Sequence, residues 1–197
     1  MKKGLLVFLA IIAIVLIGGC NYYKSKQNLM NGLQVEVKAK WAEVQNQYQR
    51  RYDLIDNLVA TVKGAAEHER STLEAVINAR AKASQMTIDP ENLTPEKLAE
   101  FQAAQGELSQ ALGRLMVVQE QYPDLKANQN FLALQHEVAG TENRIAVARG
   151  KYNESVRDYN KVLGEFPLNL FASAMGFQKQ AEFTADAEAQ RAPKISF

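Results

Sequence analysis

The chain has 197 residues, 47% hydrophobic and 23% charged, which describes a protein with a folded core rather than a disordered one. Its 23 lysines and arginines stand against 22 acids, and without Lys2 and Lys3 the balance is 21 to 22. A nearly neutral body lacks the concentrated basic surface that binding to a phosphate backbone requires, so no nucleic-acid partner is expected.

The N-terminus, "MKKGLLVFLAIIAIVLIGGC", has two lysines, an apolar run over residues 5–17, and then Gly18-Gly19-Cys20. That is the layout of a secretory signal. Its end resembles the bacterial lipobox, in which cleavage precedes a cysteine that carries lipid, here Cys20. The rival reading is an uncleaved anchor. A helix over residues 5–19 would span roughly 22 Å, short of a ~30 Å hydrocarbon core unless flanking residues join it or the bilayer thins. Either form tethers a domain outside the cytoplasm, whereas cleavage without lipid would release it. Cys20 is the only cysteine, so an intramolecular disulfide and a cysteine-based metal site are both excluded.

From Met30 an apolar stripe continues through Leu33, Val37, Trp41, Val44, Tyr48, Tyr52, Ile55, Val59, Val62 and Ala66. Ten steps over 36 residues give the period of a straight α-helix. Gly64 and the following "EHERS" suggest a turn or kink. A second helix follows over 71–86, with Leu73, Val76, Ile77 and Ala83 inward. Thr94 as N-cap, Pro95 at the first helical position and Glu96 in the first turn start a third helix. It carries Leu98, Phe101, Leu108, Leu112, Leu115 and Val118 and stops by Pro123. Asn128 caps a fourth helix, which runs to about Glu165 and ends at Phe166-Pro167. Its stripe is Phe131, Leu134, Val138, Ile145, Tyr152, Val156, Tyr159 and Leu163. The expected fold is all-α: an elongated antiparallel up-and-down four-helix bundle behind an N-terminal anchor. The domain boundaries are residues 1–20 for the anchor, 21–185 for the bundle and 186–197 for a polar tail.

Two segments, "QRRYDLIDNLVATVKGAAEHE" and "YPDLKANQNFLALQHEVAGTENRIAVARGKYNESVRDYNKVLGEFP", resemble the signature blocks of the bacterial LemA family, and "FASAMGF" and "RAPKISF" also fit. The resemblance covers nearly all of the chain after the anchor. It implies a membrane-anchored helical bundle, with no catalytic residues to carry over. Association of some members with envelope metalloproteases or quality control is a hint about partners only. Where members often have proline, this chain has Asp56, so the first helix should lack a proline kink there.

Polar residues on the core side of the fourth helix raise the functional question. Glu142, Arg149, Asn153 and Asn160 flank its apolar stripe, and Arg51 lies at the edge of the stripe on the first helix. The segment "YNESVRDYN" also repeats Tyr-Asn after seven residues. One reading is a packing lock: Glu142 paired with Arg51 or Arg149, with asparagines bridging helices. If that pair is buried, Glu142→Leu alone should cost roughly 3–5 kcal/mol. The alternative is an interior site for a small ligand or metal.

Neither His68-Glu69 nor His136-Glu137 completes HExxH, and no GxGxxG or Walker loop occurs. Arg80 fits a surface ion pair, and Trp41 fits a core anchor better than a binding box. The apolar segment from Phe166 to Phe183 is expected to cover the bundle's end or to form a patch for a protein partner. It lacks a basic face, which argues against a membrane surface. The leading expectation is a non-enzymatic, membrane-tethered envelope scaffold or adaptor with no cofactor and no metal. Its candidate surface for an envelope protein partner is Arg50, Asp53, Asn57, Phe171, Met175 and Phe177. The second expectation is a sensor holding a small ligand or metal in the polar seam, and an envelope hydrolase is the third.

Overall fold

The computed structural model describes residues 2–65, 69–86, 88–90, 93–118, 122, 125 and 127–184. They form four long helices and no strand: α1 (Lys2–Ala65), α2 (Arg70–Gln85), α3 (Pro95–Val118) and α4 (Gln129–Leu163). A 3₁₀ turn (Leu168–Leu170) follows. The tail at 186–197 and His68 lie outside the described residues.

The expected boundary between anchor and bundle is not a break in structure. α1 is one helix of 64 residues, about 96 Å long, and it runs through Cys20 without interruption. The apolar stretch and the packed stripe share one backbone because no proline separates them and Gly18-Gly19 is accommodated within the helix. The side chains from Leu6 to Ile17 are largely exposed, whereas burial begins in earnest at Met30.

Local capping sets the later helix starts. The Asn128 side chain accepts from the backbone N–H groups of Asn130 and Phe131, at 3.0 and 3.1 Å, satisfying two orphan donors of α4. Thr94 accepts from Lys97 N–H at the start of α3.

α1 contacts α4 along most of their shared length. Lys26 pairs with Glu165 at 3.2 Å and Arg50 with Glu137 at 3.0 Å. Asp56, at the position where the resembled family often has proline, pairs with Arg80 of α2 at 2.5 Å, and α1 stays helical there. The core runs down the stripes, with Trp41, Val44, Leu58, Leu108, Tyr152 and Tyr159 all nearly or wholly buried. Two expected positions differ. Ile77 is exposed on α2, and Leu58 replaces its half-buried neighbour Val59 as the fully buried residue of α1.

After α4 the chain turns back along the bundle. Gly176 reverses it with φ +85°, a conformation that disfavours any side chain, and residues 177–184 then run without helix beside α4. Phe177, Ala181 and Phe183 are buried there. We refer to 177–184 as the strap.

Candidate functional site

The polar seam resolves into two separate arrangements. The first is centred on Arg51, whose side chain is 1% exposed. Its Nη1 donates to Glu142 Oε1 at 2.6 Å and to Ser109 Oγ at 3.2 Å, and its Nη2 donates to Gln105 Oε1. Gln105 Nε2 in turn donates to the Tyr52 hydroxyl at 2.5 Å, which donates to the Ala83 carbonyl at 3.2 Å. The chain of bonds therefore touches all four helices. The guanidinium also lies 5.3 Å from the Tyr48 ring centroid. A buried cation is tolerable only with this much hydrogen bonding.

Arg51 and Glu142 do meet, but the pair is not fully buried, since the Glu142 side chain is 42% exposed. Water reaches one partner, which lowers the expected cost of its loss below the buried-pair figure. Gln105 was missed from the sequence although it is 5% exposed and links Arg51 to Tyr52. Its signal was the seven-residue gap between Phe101 and Leu108 in the stripe of α3, which Gln105 fills at helical spacing.

The second arrangement grips the strap. Asn153 accepts from Phe183 N–H at 2.8 Å and donates to the Phe183 carbonyl at 2.9 Å. Asn160 does the same to Gln180, with both distances 2.9 Å. Tyr152 donates to the Ala181 carbonyl at 3.0 Å. The asparagines therefore read an extended backbone and do not bridge helices, which corrects the expectation. Seven helical residues rise about 10.5 Å and three extended residues span about 10 Å, so asparagines seven apart match peptide units three apart. This explains the repeated Tyr-Asn.

Arg149 does not reach Glu142. Its guanidinium lies 4.6 Å from the Phe183 ring centroid, and Nη2 approaches the Thr184 carbonyl at 3.4 Å. Gln102 of α3 donates to the same carbonyl at 2.9 Å. Phe183 stacks on Trp41 with centroids 5.8 Å apart, and Tyr152 meets it edge-on at 5.4 Å. Trp41 of α1 is thus a core anchor whose neighbours come from α3, α4 and the strap. Burial pushes the hydroxyls of Tyr48, Tyr52, Tyr152 and Tyr159 above the ordinary tyrosine range, that of Tyr48 to about 12.

The expected partner surface divides. Arg50, Asp53 and Asn57 are exposed, with Arg50 bound to Glu137 of α4 and Asp53 accepting from Gln49. Phe177 is only 5% exposed and belongs to the core, while Phe171 and Met175 are half-buried against it. Phe171 packs on Tyr22 and Tyr23 of α1, with centroids 6.4 and 6.3 Å apart. Phe171 and Met175 cover the core before the turn at Gly176, and that turn brings Phe177 back into it. Cys20 is exposed on α1. Among the described residues no group of three or more His, Cys, Asp and Glu side chains is placed to hold a metal.

The fold thus defines an all-helical protein whose first helix extends outward as an apolar segment long enough, and apolar enough, to cross a membrane. The chain belongs to the LemA family, whose model matches residues 40–197. It is similar to Protein LemA of Metamycoplasma hominis, 26% identical over 184 residues that cover 92% of this chain and 80% of that protein. It is also similar to Magnetosome protein MamQ 1 of Paramagnetospirillum magneticum, 36% identical over 93 residues, and to Magnetosome protein MamQ of Magnetospirillum gryphiswaldense, 32% identical over 93 residues. Each of those alignments covers 47% of this chain and 34% of the relative, so the chain spans about a third of their length.

Proposed function

We propose that this protein is a membrane-tethered, non-enzymatic scaffold of the cell envelope that engages a protein partner through its bundle. The observation that carries the reading is that the seam's polar groups are engaged by the protein's own chain. Arg51, Gln105, Tyr52 and Glu142 bond to one another, and Asn153 and Asn160 bond to the strap. Groups committed in this way set helix register and fix a surface. An unbroken α1 makes the tether and the bundle one rigid rod. The helices are arranged up and down, α4 and α2 each antiparallel to α1, as the pairs Lys26–Glu165, Arg50–Glu137 and Asp56–Arg80 support.

The anchor is the apolar part of α1, either retained as a single-pass helix or replaced by lipid on Cys20, with the bundle outside the cytoplasm. Continuity of the helix from Lys2 to Tyr23, about 33 Å, supplies the flanking residues that a retained span needs. The partner face lies on the outer side of α1 and α4, where the exposed Val147 lines one shallow groove, Asn57 lines another, and the exposed Arg50 and Asp53 stand on α1 before Asn57.

The test is crosslinking in intact cells from a photoreactive residue at Asn57, compared with Arg50→Glu and Val147→Asp variants. Capture of one envelope protein, lost in variants whose melting is unchanged, supports the scaffold. Capture unaffected by either variant moves the contact off this face.

A sensor is the second reading. A pocket of about 150 Å³ beside the Arg51 network, lined in part by Trp41, Tyr48, Tyr52 and Phe101, favours it. A ligand bound there would raise the melting temperature, which a scaffold does not require.

A further inference from the structure

The two most exposed large apolar side chains among the described residues are not on the anchor. They are Phe166, at 78%, and Leu170, at 73%, in the turn that follows α4. Their place along α1 is set by their neighbours. Glu165 pairs with Lys26, and Phe171 packs on Tyr22 and Tyr23. Along the helix axis Tyr23 is about 4.5 Å and Lys26 about 9 Å beyond Cys20. The interfacial layer of a bilayer is roughly 5–8 Å deep on each side. The turn is therefore held between about 3 and 9 Å beyond Cys20, which spans the headgroup layer and its outer boundary, whether the anchor is a retained helix ending near Cys20 or lipid attached to it.

We propose that the turn holding Phe166 and Leu170 is a second membrane contact, inserted into the lipid interface beside α1. This rests on the reading of the N-terminal segment as a membrane anchor. The occupant is the lipid surface because the turn is held beside Tyr22, Tyr23 and Lys26, only a few residues beyond the apolar segment of α1 whose exposed side chains end at Ile17. The turn carries no basic face of its own, the feature that argued against a membrane from sequence. α1 supplies what the turn lacks. Lys24 is exposed at this level, and Lys26 neutralises Glu165, the one carboxylate beside Phe166. Tyr23, 42% exposed, adds an aromatic ring of the kind enriched at membrane interfaces. Two contact points, one on α1 and one on the turn, would stop the rod from swinging about its tether and hold the bundle in a defined orientation to the surface.

The experiment uses the full chain in phosphatidylcholine–phosphatidylglycerol vesicles whose acyl chains are brominated close to the headgroup. Tryptophan is introduced singly by Phe166→Trp, Leu170→Trp, Val15→Trp and Val147→Trp. Val147 is as apolar and is 60% exposed, but it shares a groove with Gln47, about 36 Å along α1 from Tyr23. The native Trp41 is 1% exposed and provides the unquenched baseline in every variant. The expected result is blue-shifted, bromine-quenched emission from Phe166→Trp, Leu170→Trp and Val15→Trp, with none from Val147→Trp. Quenching of Val15→Trp alone overturns the second contact and leaves the anchor standing. No quenching of Val15→Trp removes the anchor and this proposal with it. Equal quenching at all four positions also overturns it, because the bundle would then lie along the membrane rather than meet it at one end.

Discussion

The Asn153 side chain holds both backbone groups of Phe183, accepting its N–H at 2.8 Å and donating to its carbonyl at 2.9 Å. One amide thus substitutes for the neighbouring strand that an extended segment would otherwise need. Asn160 repeats the arrangement at Gln180, and the strap becomes part of the core because its backbone is satisfied at two points.

Asn153→Leu leaves the Phe183 N–H and carbonyl without partners in a half-buried position, a loss of about 1–3 kcal/mol. Hydrogen exchange should show the Phe183 amide losing protection first, and trypsin should cut after Lys179 sooner than in the parent. Unchanged exchange at Phe183 would contradict the role given to this asparagine.

Gln105→Leu should destabilise the bundle more than Glu142→Gln. The first removes an acceptor from the buried Arg51 and a donor from Tyr52, at about 2–3 kcal/mol. The second weakens a pair with one exposed partner, at about 0.5–1 kcal/mol. Urea titrations of both variants, of Arg51→Met alone, and of Arg51→Met combined with Gln105→Leu give the coupling. The combined variant should lose less than the sum of its parts, because no unpaired cation remains.

Phe183→Ala removes a ring that stacks on Trp41 and meets Tyr152, with an expected cost of about 3–5 kcal/mol. Because Trp41 is the only tryptophan, its emission should move to longer wavelength as water gains access. An unshifted spectrum would mean that another side chain fills the space.

Alkaline pH should destabilise the fold through its buried tyrosines. The Tyr48 hydroxyl titrates at about 12 in the fold, against 10.0 for an ordinary tyrosine, because burial disfavours the phenolate. A raised pKa stabilises the fold fully below pH 10. That contribution is lost as pH rises from about 10 to 12, by about 1.4 kcal/mol per pH unit for each such tyrosine. Tyr52, Tyr152 and Tyr159 are shifted in the same direction. Tyrosinate absorbance and helical circular dichroism, followed together, should change in one step.

The helices and their caps were legible because they depend on neighbours in the chain. A 3.6-residue apolar period, Asn128 before α4 and Thr94-Pro95 before α3 specify local structure without reference to any other element. The apolar start was equally plain, although its fusion with the bundle in one 64-residue helix was not. The polar seam was visible as residues on the wrong side of a stripe, yet its partners were not. Arg51 took Gln105 in addition to Glu142, and the asparagines took the strap, since a polar group's partner depends on which distant segments abut it. Phe177 was read as surface and is core for the same reason: the turn at Gly176 brings it back onto the bundle. By itself, the sequence determined which segments are helical and which face of each is apolar, because both are set within a few turns of chain. Tertiary structure alone decided which polar groups meet, and that the turn after α4 packs beside Tyr22, Tyr23 and Lys26 of α1. Those relations join residues from 20 positions apart, as Asn160 and Gln180 are, to 139, as Lys26 and Glu165 are, and no local period encodes them.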